Sequence, residues 1–320
     1  MLKYGQELKY LKILMTKVIV LFSGGLDSIL AAQLLKEQKL EVNAICFKSC
    51  FFNGEKAKIA AKDLCIPLKI IDFSKKHLEI VKSPKYGYGK NMNPCIDCHI
   101  LMLKEAKKMM SSFVATGEVL GQRPMSQNKN SLKKIEKESG LEEYLLRPLS
   151  AKLLDKTIPE KNGIVDRKKL LNISGRSRRK QIALAKKFNL KRYPSPSGGC
   201  LLTDPEFSKR LRKLSNVFPE YQKNDIELLK IGRHFWKYKI KIIIGRDEKE
   251  NKRIKKIAKN GDTIIEIENY PSPITLIRPY GKGEYIRYAK KLTQYYSTKA
   301  RERKDIKFKF LEIKDCLSSG

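Results

Sequence analysis

The stretch KVIVLFSGGLDS, residues 17–28, decides the fold, because a short apolar run leads into a Gly-Gly turn and then into a helical pattern. Residues 17–22 are apolar and rich in β-branched side chains, which is typical of a parallel strand buried on both faces. From Asp27 to Lys36 the apolar positions recur with helical spacing. The stretch therefore predicts a buried strand, a tight loop and a helix.

The same alternation of strand and helix continues through the first half of the chain. The predicted strands are 41–47, 68–73, 113–116 and 144–149, and the predicted helices are 54–64 and 96–110. Such an order produces a parallel sheet with helices on both faces, and ligands bind beyond the carboxyl ends of its strands. We therefore predict an α/β domain over residues 16–205.

The pattern changes after this domain. Residues 206–227 predict a linker helix, and residues 228–310 predict a smaller basic α+β domain. In this second domain Lys alternates with Ile at 238–244, and a helical segment at 250–258 precedes a β-branched run at 263–267. Residues 1–15 are interpreted as an N-terminal extension and 311–320 as a tail. Met15 directly precedes the first strand, so translation starts at either Met1 or Met15.

Charge is the strongest signal in the composition. The chain has 68 Lys and Arg against 34 Asp and Glu, a formal net charge of +34. Such a field attracts polyanions, which favours RNA or DNA as the partner over an anionic membrane surface. No run of about 18 apolar residues and no signal-peptide pattern is present, which predicts a cytoplasmic protein without membrane spans.

Residues 167–192 contain many basic residues and no acidic one. The candidate contacts to an RNA backbone are Arg176, Arg178, Arg179 and Lys180. The alternative is a solvated helix face. Arg123 and Arg147, elsewhere in the chain, are candidates for phosphate contacts or surface ion pairs.

The seven cysteines indicate a site for chemistry and not a disulfide framework, because nothing in the sequence points to an oxidising compartment. Cys95 and Cys98 form a CxxC pair followed by His99, and Cys200 follows Gly198-Gly199. Three interpretations remain open: a [4Fe-4S] cluster held by three thiolates, a catalytic thiol pair, or zinc with His99 as a further ligand. Cys46 and Cys65 are predicted to be buried, inert thiols.

Residues 23–28, SGGLDS, lie between the first predicted strand and helix and have the chemistry of a phosphate-binding loop. Gly24 and Gly25 permit a tight turn and a close approach of backbone N–H groups to a phosphate. Ser23 and Ser28 add hydroxyl donors, and Asp27 is a candidate ligand of Mg²⁺. The helix that follows points its positive end at the same place.

SGGLDS resembles the pyrophosphate-loop ATP pyrophosphatases of the adenine-nucleotide alpha-hydrolase-like superfamily, which cleave ATP between the α and β phosphates. The strings GKNMNPCIDCH (89–99), ATGEVLGQRPMSQ (115–127) and LLRPLS (145–150) are similar to the tRNA thiolation branch of that superfamily, with features of both tRNA 4-thiouridine synthases and tRNA 2-thiouridylases. The resemblance covers residues 16–205.

The resemblance implies roles for particular residues. The implied nucleotide pocket adds four residues to the phosphate loop: Thr116, Gly117, Gly121 and Gln122. Cys95, Cys98 and Cys200 match the three cysteines that hold a [4Fe-4S] cluster in cluster-dependent members, with zinc as the alternative, and with Asp27 they form the implied catalytic set. The persulfide cysteine of many 4-thiouridine synthases has no counterpart in Lys161-Asn162-Gly163.

The C-terminal region resembles the RNA-binding domain of some ribosome-associated quality-control factors, through HFW (234–236) and GRDEKEN (245–251). Its aromatic residues, among them Trp236, Tyr238 and Tyr295, either stack on bases or fill the core.

Together these features predict a tRNA sulfurtransferase that adenylates a uridine with ATP and Mg²⁺ and then inserts sulfur supplied as sulfide or by a sulfur-carrier protein. Two alternatives remain open. One is a non-catalytic RNA-binding protein with structural zinc, and the other is a pyrophosphate-loop ligase that forms an amide.

Overall fold

The computed structural model describes residues 16–190, 192–193, 199–279 and 282–313. The chain divides into two compact units, and the division falls between Thr203 and Asp204. The predictions for residues 1–15, including Met15 as a start, and for the end of the tail lie outside the described residues.

The N-terminal unit is built on a parallel sheet of five strands in the order β3-β2-β1-β4-β5. The strands are β1 Lys17–Leu21, β2 Glu41–Lys48, β3 Leu68–Asp72, β4 Phe113–Thr116 and β5 Leu145–Leu146. Neighbouring strands pair in parallel, with Val20 beside both Ala44 and Ala115. The central position of β1 places the loop that follows it at the middle of the carboxyl edge.

Helices connect these strands, as a parallel sheet requires. The connecting helices are α1 Leu26–Lys36, α2 Glu55–Asp63, α3 Ser74–Lys82, α4 Cys95–Lys107 and α5 Lys129–Ser139. Two more follow β5, α6 Ile158–Lys161 and α7 Arg179–Lys187. Two apolar clusters cover the two faces of the sheet, one around Val18 and Val20 and the other around Ile19 and Val114. Burial on both faces explains why β1 is apolar at successive positions.

The C-terminal unit contains an antiparallel sheet in the order β10-β8-β9-β7-β6. Its strands are β6 Arg233–Lys237, β7 Ile240–Ile244, β8 Thr263–Ile267, β9 Thr275–Arg278 and β10 Phe308–Glu312. Its helices are α8 Pro205–Val217, α9 Lys223–Leu229, α10 Glu248–Ile257 and α11 Glu284–Tyr296. Isoleucines on alternate positions of β7 fill two cores, with Ile243 in one and Ile242 and Ile244 in the other.

The fold class predicted from the sequence is confirmed: a parallel-sheet α/β domain is followed by a smaller α+β domain. Two local predictions are wrong. The strand expected at 144–149 is only Leu145–Leu146, because the chain turns at Arg147. Cys65 is exposed and not buried, since it lies in the turn after α2 with a φ of 50°. Cys46 is buried as expected, and burial raises its pKa to about 11.

Among the described residues, no helix combines the length and apolar character needed to cross a membrane.

Candidate functional site

The loop between β1 and α1 has the tight geometry expected of a phosphate loop. Gly24 has a φ of +71°, and a Cβ at this position would lie 2.4 Å from the backbone carbonyl atoms of Lys56. Only glycine fits this position without movement of the chain. The Ser28 hydroxyl donates to Gly25 O at 2.8 Å, and the Ser23 hydroxyl accepts a hydrogen bond from the Gly25 N–H at 3.3 Å. The loop is therefore closed by its own serines at the N-terminus of α1.

Asp27, in the first turn of α1, is contacted by side chains from distant parts of the chain. Gln122 Nε2 donates to Asp27 Oδ2 at 2.8 Å, and Gln181 Nε2 donates to Gln122 Oε1 at 3.1 Å. Arg178 Nη2 lies 3.7 Å from Asp27 Oδ1. This buried Oδ1 has no hydrogen-bond donor among the described residues, so one carboxylate oxygen remains available to a cation.

The end of β4 packs directly on the phosphate loop. A Cβ on Gly117 would lie 2.5 Å from the backbone of Asp27 and Ser28, so this glycine permits the close approach. Gly121 has a φ of +75° and lies beside Leu120, which accepts a hydrogen bond from the Gly175 N–H at 2.8 Å. Through these contacts the structure brings Gly117 and Gln122 to the loop at 23–28, whereas Gly121 lies against Gly175. Their role in a nucleotide pocket stays a prediction.

Glu118 is the centre of a buried polar network that sequence analysis did not assign. Its Oε1 lies 2.7 Å from His99 Nδ1, and its Oε2 accepts from Arg147 Nε at 2.9 Å and from the Thr116 hydroxyl at 3.1 Å. Burial by itself would raise the pKa of Glu118, but Arg147 and His99 outweigh that effect and lower the pKa to about 2. Glu118 is therefore an anion that orients His99, the residue next to Cys98.

Arg147 is neither a phosphate contact nor a surface ion pair, so both interpretations from the sequence are wrong. Its side chain is fully buried and bonds to both Glu118 and Glu136. Strand β5 ends at Leu146, just before Arg147, and the Arg147 side chain lies in the interior against Glu118 and Glu136. The strings TGE and RPL carried the signal, because an acid and a base that follow adjacent parallel strands can meet.

Cys95 and Cys98 begin α4, and polar contacts hold the loop that precedes them. Asn93 Nδ2 donates to Cys95 Sγ at 3.1 Å. Asp97 accepts hydrogen bonds from the backbone N–H groups of Lys85 and Tyr86, at 3.0 and 3.1 Å. Asp97 thus orders the segment that leads into the CxxC pair.

Cys200 reaches this region through contacts that are distant in sequence. Leu201 N donates to Phe51 O at 3.0 Å, which ties the Cys200 turn to the loop after β2. Asn91 Nδ2 donates to Thr203 O at 2.7 Å, and the Thr203 hydroxyl donates to Cys200 O at 2.7 Å. The loop before Cys95 and the turn that carries Cys200 are therefore joined.

The predicted sulfurs lie close enough together to affect the pKa values of the Cys98 and Cys200 thiols. Burial raises the pKa of the Cys98 thiol well above its ordinary value, and Cys200 and then Cys95 add to the rise. Burial raises the pKa of Cys200 to about 12, with the Leu202 N–H acting in the opposite direction. Within the described residues, however, no three His, Cys, Asp or Glu side chains are already placed to hold a metal ion.

The predicted RNA contacts fall into two groups. Arg176, Arg179 and Lys180 are exposed, whereas Arg178 is half-buried beside Asp27. Burial raises the pKa of Cys200, and Arg123, the candidate for a phosphate contact or a surface ion pair, lies near enough to oppose part of that rise. Gln181, which is fully buried and contacts Gln122, was missed because nothing in its local sequence distinguishes it from an ordinary helix residue.

A glycine-rich loop between the central strand of a parallel sheet and a helix defines a nucleotide-binding α/β protein of the pyrophosphate-loop class. Residues 16–201 match the family described as the tRNA methyl transferase HUP domain, and the chain belongs to this family. Residues 232–317 match the RNA-binding domain of NFACT proteins. The resemblances stated from the sequence are confirmed by these matches.

Several relatives are tRNA-specific 2-thiouridylases MnmA. The protein from Caldicellulosiruptor saccharolyticus is 29% identical over 229 residues, 63% of this chain and 60% of its own length. The one from Karelsulcia muelleri is 26% identical over 264 residues, 75% of this chain and 64% of its own. The chain thus spans less than two thirds of these relatives.

A solved 4-thiouridine synthetase–RNA complex with bound ATP is 21% identical, covering 67% of this chain and 52% of that one with a TM-score of 0.37.

Proposed function

We propose that the protein is an ATP-dependent tRNA sulfurtransferase that adenylates a uridine carbonyl oxygen and replaces it with sulfur. The observation that carries the proposal is the joining of two features in one unit: a phosphate loop at Asp27, and a turn carrying Cys200 that is hydrogen-bonded to the loop before Cys95 and Cys98. The 2-thiouridylase relatives and the strongly basic composition support tRNA as the substrate.

ATP would bind with its pyrophosphate against the backbone of Gly24 and Gly25. Asp27 Oδ1, which accepts no hydrogen bond among the described residues, fits a ligand of Mg²⁺, which would neutralise charge on the phosphates. Arg178, whose Nη2 is 3.7 Å from that oxygen, is placed to add a second positive charge. The uridine oxygen then attacks the α-phosphate and pyrophosphate leaves, which produces the adenylated base.

The sulfur step is proposed to use the thiols themselves. A sulfur-carrier protein would transfer the outer sulfur of its own persulfide to the Cys98 thiolate, and the carrier would leave as a thiolate. The resulting Cys98 persulfide would attack the activated carbon through its outer sulfur, and AMP would leave. Cys200 would then attack the inner sulfur of Cys98, releasing the thiouridine and leaving a Cys98–Cys200 disulfide. An external dithiol must reduce this disulfide. Cys200 is chosen because its turn is hydrogen-bonded to the loop before the CxxC pair, whereas Cys95 Sγ already accepts a hydrogen bond from Asn93.

A [4Fe-4S] cluster on the same three cysteines stays a prediction, as does zinc. When bound, a cluster with an open iron would supply a site for hydrosulfide. The thiols offer suitable donor atoms, but the described residues do not present a preformed set of three ligands. We therefore assign no step to a metal.

Single substitutions separate the two routes. Protein purified without oxygen is incubated with total tRNA, ATP, a dithiol and either an organic persulfide, sulfide or labelled ammonia, and thiouridine and labelled products are measured by nucleoside mass spectrometry. Cys98→Ala and Cys200→Ala are expected to abolish the product, while Cys95→Ala retains it. Loss of product in all three variants, together with loss of bound iron, would instead establish the cluster. No thiouridine from the wild type, or incorporation of labelled ammonia, contradicts the proposed function.

Two glycines provide a matched test of the ATP site. Gly24→Ala places a methyl group against the Lys56 backbone and is expected to abolish AMP and pyrophosphate formation. Gly87 also has a positive φ, +72°, but a Cβ there meets nothing within 4 Å. Gly87→Ala should therefore keep ATP turnover, at a cost of about 1 kcal/mol in stability. Equal rates of AMP and pyrophosphate formation by the two variants would show that the loop at 23–28 does not bind ATP in the reaction.

A further inference from the structure

The C-terminal unit contains a cavity of about 350 Å³ that no part of the proposed reaction uses. Its volume is roughly ten times the ~30 Å³ that one water molecule occupies in the liquid. The exposed surface of the walls is mostly apolar and comes from Leu214, Val217, Phe218, Pro219, Tyr221 and Pro279. The rest of the lining is largely charged and includes Glu220, Asp225, Lys241, Lys259, Asp262 and Arg278.

One cationic side chain, Lys241 on β7, lines this cavity without a hydrogen-bond partner. Lys241 pairs in register with Trp236 on β6 and with Arg278 on β9, so the three side chains form a row on one face of the sheet. Its Nζ lies 5.7 Å from the centre of the Trp236 ring. The residue is only 1% exposed, and Nζ has no hydrogen-bond acceptor among the described residues.

The neighbouring acids do not satisfy Lys241, because Arg278 already binds them. Arg278 Nε donates to Asp262 Oδ1 at 2.7 Å, and Arg278 Nη1 donates to Asp225 Oδ1 at 2.7 Å. Lys259 Nζ is a further cation, 3.6 Å from Asp225 Oδ2. Burial lowers the pKa of Lys241 to about 7, and Arg278 contributes to that lowering. An unpaired buried donor is costly, which indicates a ligand with an acceptor atom.

We propose that this cavity holds one unstacked nucleobase of a bound RNA, with a carbonyl oxygen of the base accepting a hydrogen bond from Lys241 Nζ. The apolar and aromatic walls suit the faces of a base ring. Uracil, guanine and cytosine each carry a ring carbonyl, whereas adenine does not. The inference rests on the proposed function only in taking RNA as the partner.

A phosphate group fits the same cavity less well. A phosphate needs several donors, but among the described residues that line the cavity only Lys241 is a charged donor without a partner, and Asp225 and Asp262 would repel the anion. A base requires one donor and a large apolar contact area. The composition of the walls therefore favours a base over a backbone phosphate.

Trp236 is the only tryptophan of the chain and lies beside Lys241, so its fluorescence reports on the cavity. The full-length protein is titrated with single-stranded octauridylate and with an octamer of abasic ribose phosphates. The wild type is expected to bind octauridylate more tightly and to change its Trp236 emission with that oligomer alone. Equal affinity for the two oligomers would overturn the proposal.

Substitutions identify the group responsible. Lys241→Met should weaken octauridylate binding on the order of tenfold, with little effect on the abasic oligomer. Lys239→Met removes an equal charge from an exposed position between β6 and β7 and should weaken both oligomers equally. Equal losses on both oligomers in Lys241→Met would mean that the cavity takes a phosphate, which contradicts the proposal.

A second variant tests the cavity without changing charge. Val217→Phe places a larger side chain in the cavity wall and should remove the preference for octauridylate while leaving abasic binding unchanged. Retention of the full preference would contradict the proposal. Because Cys98→Ala should abolish thiolation but leave this titration unchanged, failure of the base pocket and failure of the proposed reaction are distinguishable.

Discussion

Arg147 in the N-terminal unit and Lys241 in the C-terminal unit are both buried cations at 1% exposure, yet their surroundings differ. Arg147 is bonded to the carboxylates of Glu118 and Glu136. Lys241 has no hydrogen-bond acceptor among the described residues, and the nearby carboxylates of Asp225 and Asp262 are paired with Arg278. A buried cation with its acceptors present holds a structure together, whereas one without them is suited to bind something that supplies an acceptor.

Breaking the network in which Arg147 is paired with two carboxylates should produce the largest loss of stability. Arg147→Met leaves Glu118 and Glu136 without their common partner and is expected to lower the free energy of unfolding by about 3–5 kcal/mol. Urea unfolding followed by circular dichroism measures this loss. Lys58→Met, which removes a cation from an exposed pair with Glu55, is the control and should have no measurable effect. A loss of similar size in both variants would contradict the comparison.

Removing Lys241, the buried cation without an acceptor, should raise the free energy of unfolding, and the size of that rise should depend on pH. The pKa of Lys241 is 10.5 in the unfolded chain and about 7 in the folded one. Burial, Arg278 and Arg210 lower this pKa, and Asp225 and Asp262 partly oppose the lowering. Between pH 7 and pH 10.5 the Lys241 amine is protonated in the unfolded chain but largely deprotonated in the folded protein. The wild-type free energy of unfolding should therefore rise by about 2 kcal/mol from pH 7 to pH 9.

Lys241→Met should lack this rise and exceed the wild type in stability most clearly at pH 7 and below, where the wild type carries the buried charge. Urea unfolding followed by Trp236 fluorescence monitors the C-terminal unit. Lys239→Met is expected to retain the wild-type pH dependence. An unchanged pH dependence in Lys241→Met would show that its amine is paired in solution.

Arg278 differs from Arg147 because an unpaired cation, Lys241, lies beside it and can take over its carboxylate partners. Arg278→Met frees Asp225 and Asp262, which Lys241 and Lys259 can then neutralise, so the expected loss is about 1–2 kcal/mol, smaller than for Arg147→Met. The double variant Arg278→Met/Lys241→Met should lose more than the sum of the two single changes. Additivity in a double-mutant cycle would contradict this compensation.

The smallest effect is expected at Arg178, which faces the partly unsatisfied Asp27 carboxylate. Arg178→Met should raise the KM for ATP by roughly fivefold with a smaller change in kcat, since one charge near the phosphates is lost. Pyrophosphate release as a function of ATP concentration measures this change. Arg179→Met, the exposed neighbour, should leave the KM for ATP unchanged, and equal effects at both positions would assign Arg178 to RNA contact.

Some elements were predictable because their signals are local. The strands at 113–116 and 263–267 agree with the structure to the residue, since short β-branched runs bounded by polar residues indicate buried strands. Helix α5 and strands β6, β9 and β10 were not predicted. Their sequences are short or polar, and packing against the rest of the unit decides their conformation.

The amino-acid sequence alone determined the phosphate loop, the parallel order of the first domain and the identity of the three thiols, because glycine turns, apolar periods and cysteine spacing are local properties. Tertiary structure decided which groups meet. The Leu201–Phe51 and Asn91–Thr203 hydrogen bonds bring Cys200 to a loop about a hundred residues away in sequence. Whether a buried charge has a partner, as Arg147 does and Lys241 does not, depends on neighbours that only the folded chain assembles.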